Sequence, residues 1–206
     1  MKSNVCKIDN GTRDLEAILK ESERVAAYNG LTHKQTLQLR LLCEEIDGML
    51  PNIIDEFEGE LWIDLDDGLC KVNVSLRFDK FTAEKKEGLV EIATNKKNAA
   101  AVGIVGKIRS ALEDVFMGED TLGGADTRAF VTEYYHGVDQ FNGMNYANVD
   151  YAYLWSLDQY RNTISKDEKA EEWDELEKSV IASVADDVIV GVKGKRADIV
   201  VIKKFE

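Results

Sequence analysis

The chain has one proline, three cysteines and two histidines in 206 residues, and each scarcity excludes something. With Pro51 alone and no Pro/Ser-rich stretch, nothing marks a linker, so a single domain is expected over 1–206. Cys6, Cys43 and Cys70 are odd in number and far apart. That argues against a disulfide framework and for a reducing compartment. His33 and His136 make no zinc-type spacing with the cysteines, and Asp64, Asp66 and Asp67 lack the spacing of a calcium loop. No metal site is expected. No serine sits in a GxSxG setting. No apolar run reaches the roughly 18–20 residues that cross a bilayer, and the first residues lack a signal-peptide core. The expected setting is cytoplasmic. Positive charge is the last shortage: 26 Lys and Arg against 39 Asp and Glu give a net charge of −13. That charge repels phosphate backbones and anionic lipid, which argues against nucleic acid and membrane surfaces as partners. The short basic clusters at Lys85-Lys86, Lys96-Lys97 and Lys193 to Arg196 lie beside acids and read as solvated faces or turns.

What is present is a clear pattern over Leu31 to Phe78. Leu42, Ile46, Met49, Ile53 and Phe57 recur at steps of three and four, which places them on one helical face. Leu61, Ile63 and Leu65 then alternate with polar residues, and so do Val72, Val74, Leu76 and Phe78 with Lys71, Asn73, Ser75 and Arg77. Asp67-Gly68 supplies the tight turn between these two strands. The helix is expected from a Thr32 cap to about Glu58, with a kink or break near Leu50 imposed by Pro51.

The rest of the chain falls around this unit. Residues 3–9 read as an opening strand. A helix follows to about Ala27, capped by Thr12 or Asp14, with Leu15, Ile18, Leu19 and Val25 inward. After the hairpin, helices are expected over 82–94 and from Asn98 to about Phe116, with Ile104, Ile108, Leu112 and Val115 in register. Residues 118–165 read as an irregular, Tyr-rich insertion with one short helix or strand near Tyr151–Tyr160. A helix through Ala185 carries Trp173, Leu176, Val180, Ile181 and Val184, and strands 187–192 and 196–203 close the chain. Strands arriving as hairpins with helices between them predict an α/β (α+β) two-layer sandwich, a mainly antiparallel mixed sheet with helices on one face.

GLTHKQTLQLRLLCEEIDGML with its hairpin, and LEKSVIASVADDVIVGVKGKRADIVVIKKF at the end, resemble the ATP-binding domain of the histidine-kinase/gyrase/Hsp90-type (GHKL) ATPases. The anti-sigma-factor serine kinase branch is the most similar, and bacterial proteins of this length described as ATP-binding share the pattern. The resemblance covers about the first 80 and last 40 residues. It implies an acid on the organising helix, here Glu45 or Glu44, that orients or deprotonates a nucleophile. It also implies an asparagine four residues on that holds Mg²⁺. Met49 or Gly48 stands there, and neither side chain can ligate the ion. The adenine-reading aspartate of the family corresponds to Asp79, without the glycines that follow it in the pattern. The phosphate-cradling turn corresponds to Gly103, Gly106 and Lys107. The expectation is a diverged regulatory or binding module with hydrolysis weak or lost, a pseudoenzyme with a protein partner. Nucleotide (ATP with Mg²⁺) and a second copy of the chain stay open as further ligands. Two alternatives stand beside it: an active ATP-binding serine kinase or ATPase with Glu45 as base, and an interaction domain using the Tyr-rich insertion.

Overall fold

The structure is a computed structural model that describes residues 1–11, 14–54, 56–78, 106, 108–109, 153–163 and 179–206. Its elements are β1 (Cys6–Asp9), α1 (Leu15–Tyr28), α2 (His33–Ile53), β2 (Glu58–Asp66), β3 (Leu69–Arg77), β4 (Tyr153–Ser156), α3 (Leu157–Thr163), α4 (Val180–Val184), β5 (Asp187–Lys193) and β6 (Arg196–Lys204). The six strands form one sheet in the order β1-β2-β3-β6-β5-β4, and every pairing is antiparallel. With helices packed over it this is an α+β two-layer sandwich. The expected mixed sheet is antiparallel throughout among the described strands.

Local chemistry explains the helix starts. Asp14, not Thr12, caps α1: its carboxylate accepts from the Ala17 N–H at 2.9 Å. Thr32 and Gln35 form a full capping box at α2, with the Thr32 N–H donating to Gln35 Oε1 at 2.8 Å. On α1 the buried set is Ile18, Ser22, Val25 and Ala26. Leu15, expected inside, is 36% exposed, because it opens the helix before the core-facing stripe begins. Pro51 does not break α2 near Leu50. The helix runs through it and stops at Ile53 rather than Glu58. Proline removes the donor to the Asp47 carbonyl and crowds it, and the helix ends two residues beyond the proline. Phe57 is buried all the same, at 5% exposure, from the segment joining α2 to β2.

The register lines up one apolar face. Leu61, Val74, Ile199 and Val190 follow one another across β2, β3, β6 and β5, and Ile63, Val72, Val201 and Val188 make the next row. All eight are fully buried, with Leu39, Leu42, Cys43, Ile46 and Leu50 of α2 in the same core. The β2–β3 turn has Asp67 at φ 45° and Gly68 at φ 76°, the left-handed pair that a two-residue hairpin needs. At the far edge, β4 and α3 provide both a strand and a helix near Tyr151–Tyr160, where one or the other was expected. The helices expected over 82–94 and from Asn98 to about Phe116, the rest of the insertion and residues 164–178 lie outside the described residues, apart from a helical Gly106, Ile108 and Arg109. The helix expected to run unbroken through Ala185 is interrupted at Ser179, whose extended backbone and side chain cap α4 as a separate start.

Candidate functional site

Two places carry the chemistry that the sequence raises: the middle of α2, and the end of the sheet where β3 finishes. On α2, the apolar periodicity turns Leu42, Ile46, Met49 and Ile53 into the core, so Glu44 and Glu45 fall on the flank and are half-buried. Glu44 is held by Arg40, Nε to Oε1 at 3.1 Å, and the same guanidinium reaches Glu23 on α1 at 2.7 Å. These contacts raise the Arg40 pKa, with the Glu44 hydrogen bond foremost. Glu44 is thus part of an inter-helix charge network. One turn beyond, Met49 is buried at 4% exposure and Gly48 is exposed, with open space where a side chain would be. Asn52 turns back on its own helix, its amide donating to the Gly48 carbonyl at 3.2 Å. No side-chain oxygen occupies the position implied for a magnesium ligand. Asp47, which sequence reading passed over, is the buried acid of α2, at 7% exposure.

Of the other residues implied by the resemblance, Gly106 is buried and helical, and Arg109 beyond it donates to the Asn52 carbonyl at 3.4 Å. That contact brings a cation to the C-terminal end of α2, where the helix dipole favours it. Asp79, Gly103 and Lys107 lie outside the described residues.

The sheet end is a cleft of about 700 Å³. Its floor includes Phe57 and Phe78, both buried. Its walls carry opposite charges. Asp9, Glu56 and Glu58 come from the β1 and β2 side, and Arg77, Lys195 and Arg196 come from the β3 and β6 side. The cross-strand register sets this order: Asp9 faces Glu58, Glu58 faces Arg77, and Arg77 faces Arg196. Three short contacts fix the rim. The Gly11 N–H donates to Asp9 Oδ1 at 2.6 Å, the Phe57 N–H to Asn10 Oδ1 at 2.6 Å, and the Phe78 N–H to the Lys195 carbonyl at 3.1 Å. Sequence reading took Lys193 to Arg196 as a solvated face or turn, and Gly194 and Lys195 do form an exposed turn between β5 and β6; it gave Arg77 no role. Only the strand register puts these charges side by side, and no local sequence pattern reports it.

A polar group also lies on the sheet face turned away from the apolar rows. Asp64 accepts from Trp62 Nε1 at 3.0 Å and from Asn73 Nδ2 at 3.2 Å, and Lys2 stacks on the Trp62 ring. Lys71, opposite Asp64, is buried at 8% exposure. Burial lowers its pKa, and Asp64 opposes that shift. The cysteines are free thiols. Burial pushes Cys43 far up and Cys70 up to about 12. Among the described residues no group of His, Cys, Asp and Glu could hold a metal ion, and no helix is long and apolar enough to cross a membrane.

Fold and cleft together define a two-layer α+β protein with a charge-divided groove at one end of its sheet. No family model, curated protein or solved structure matches the chain.

Proposed function

We propose that the chain is a diverged GHKL-type module that works by binding, with nucleotide hydrolysis weak or lost. The observation that carries this reading is at α2: one turn past Glu45 and Glu44 stand a buried Met49 and a bare Gly48. Phosphoryl chemistry of this type depends on a metal held against the phosphates, and neither residue supplies an oxygen from its side chain. The order strand, helix, helix, hairpin, then closing helix and hairpin supports the scaffold half of the reading. The cleft supports the binding half, because it is open, polar-walled and floored by aromatics. A regulatory module of this kind acts through a protein partner, and its three free thiols suit a reducing, cytoplasmic setting.

The test is purified protein with ATP or ADP, with and without Mg²⁺, followed by thermal unfolding and phosphate release. The expected result is no turnover and no Mg²⁺-dependent stabilisation. A ligand at about 100 times its Kd stabilises by roughly 2.7 kcal/mol, so a real site is easily seen. Tight Mg²⁺-dependent ATP binding with turnover abolished in Glu45→Ala would overturn the reading and make the chain a kinase or ATPase.

A further inference from the structure

The geometry points to an oxyanion subsite in the cleft, formed by Arg77 and Arg196, that takes the phosphoryl group of a small molecule. This rests on reading the chain as a binding module and names the ligand chemistry of its groove.

Arg77 and Arg196 are direct cross-strand partners on β3 and β6. Side chains so placed start about 4.5–5.5 Å apart at Cβ, and like charges there repel. An anion held between two guanidiniums so placed relieves that repulsion. The structure offers a partial answer for one of them. Arg196 Nε pairs with Asp198 at 3.0 Å, which leaves its terminal nitrogens for another acceptor. Among the described residues the Arg77 side chain makes no hydrogen bond or ion pair, although Glu58 is its other cross-strand neighbour. Both arginines line the cleft with Lys195. Guanidinium forks match phosphate oxygens two at a time. Three cations on one wall suit a dianionic phosphoryl group better than a single carboxylate. The opposite wall, with Glu56 and Glu58, accepts hydrogen bonds and suits an amine or hydroxyl on the same ligand. In this arrangement arginine neutralises the phosphate, and no metal is needed.

Inorganic pyrophosphate is the probe, added without Mg²⁺ to the full chain, with thermal unfolding and calorimetry as readouts. Sodium chloride at matched ionic strength is the control for screening. The expected result is saturable binding that Arg77→Gln and Arg196→Gln each weaken by at least about tenfold, while Lys20→Gln, on the exposed side of α1, leaves it unchanged. Both arginines are exposed, so both variants are expected to fold, and circular dichroism checks this. Absence of saturable binding, or binding equal in wild type and both arginine variants, overturns the subsite. Acetate binding as tightly as pyrophosphate overturns the phosphoryl assignment. The two readings fail separately. Mg²⁺-dependent ATP turnover together with no arginine-dependent pyrophosphate binding removes the subsite and the non-catalytic reading together. Arginine-dependent pyrophosphate binding alongside Mg²⁺-dependent ATP turnover removes only the latter.

Discussion

Asp187, the first residue of β5, accepts a hydrogen bond from the Ser156 hydroxyl at 3.0 Å. The same carboxylate oxygen accepts from the backbone N–H of Asp158 at 3.0 Å. An acid from one strand thus caps α3, which begins at Leu157 and follows directly from β4. The edge strand and its helix are fastened by this side chain, by the ladder and by Arg161 of α3, which donates to the Asp186 carbonyl at 3.1 Å. Asp187→Ala removes a cap and takes an acceptor from a hydroxyl buried to 2% exposure. The expected loss is about 1–2 kcal/mol. Urea unfolding should show a lower midpoint at unchanged slope.

Two glycines should respond to alanine in opposite directions. Gly48 lies within α2, is exposed, and has nothing within 4 Å of an added Cβ. Gly48→Ala should stabilise by about 0.5–1 kcal/mol, because glycine is the more costly residue inside a helix. Gly59 on β2 is hemmed in. A Cβ there would lie 2.5 Å from the Ser75 carbonyl oxygen and 2.7 Å from Leu76 Cδ2. Gly59→Ala should destabilise by about 1–3 kcal/mol through overpacking. Paired denaturation curves check both signs.

Thiol labelling should follow burial. Cys6 is partly exposed, and Cys43 and Cys70 are fully buried. All three thiols have raised pKa values, with burial the first cause in each. Since the thiolate is the reactive form, the folded protein should react slowly, through Cys6 first. Cys43 and Cys70 should label only on unfolding. Mass spectrometry after a timed alkylation pulse gives the order, and early labelling of Cys43 would contradict the packing of α2.

The fold was legible where periodicity had one cause. The β2–β3 hairpin, its Asp67-Gly68 turn, the Thr32 cap and the closing strands all follow from local rules of alternation, positive φ and capping. The helix boundary at Ile53 was not legible. Apolar spacing carries on to Phe57, and only packing decides that Phe57 is buried from a connecting segment. The site was harder still. Met49 and Gly48 could be read at once, since their side chains lack oxygen whatever the fold. Arg77 and Arg196 are 119 residues apart in sequence (196 − 77), and only the pairing of β3 with β6 brings them together. No local pattern reports a long-range register, so a charge-divided cleft built across four strands stays hidden until the sheet order is known.

The same register exposes a cost that the sheet carries at Lys71. It sits opposite Asp64, on the face away from the apolar rows, and is buried at 8% exposure. Burial disfavours its charged form and lowers its pKa below 10.5, and the Asp64 charge recovers only part of that. In the unfolded chain the amine keeps its ordinary value. Between the lowered folded value and 10.5 the unfolded state therefore binds more protons, and stability rises with pH across that window. Below it, both states are charged and the folded one bears the full desolvation cost. Lys71→Met keeps the apolar stem and removes the charge. It should match or exceed wild-type stability at neutral pH, as replacement of buried charges by apolar groups of similar size often does. Its advantage should shrink as pH climbs toward 10.5. Chemical denaturation at several pH values would show the two curves converging. A Met variant less stable than wild type at neutral pH, with the gap constant on raising pH, would mean that Asp64 more than offsets the burial of the amine.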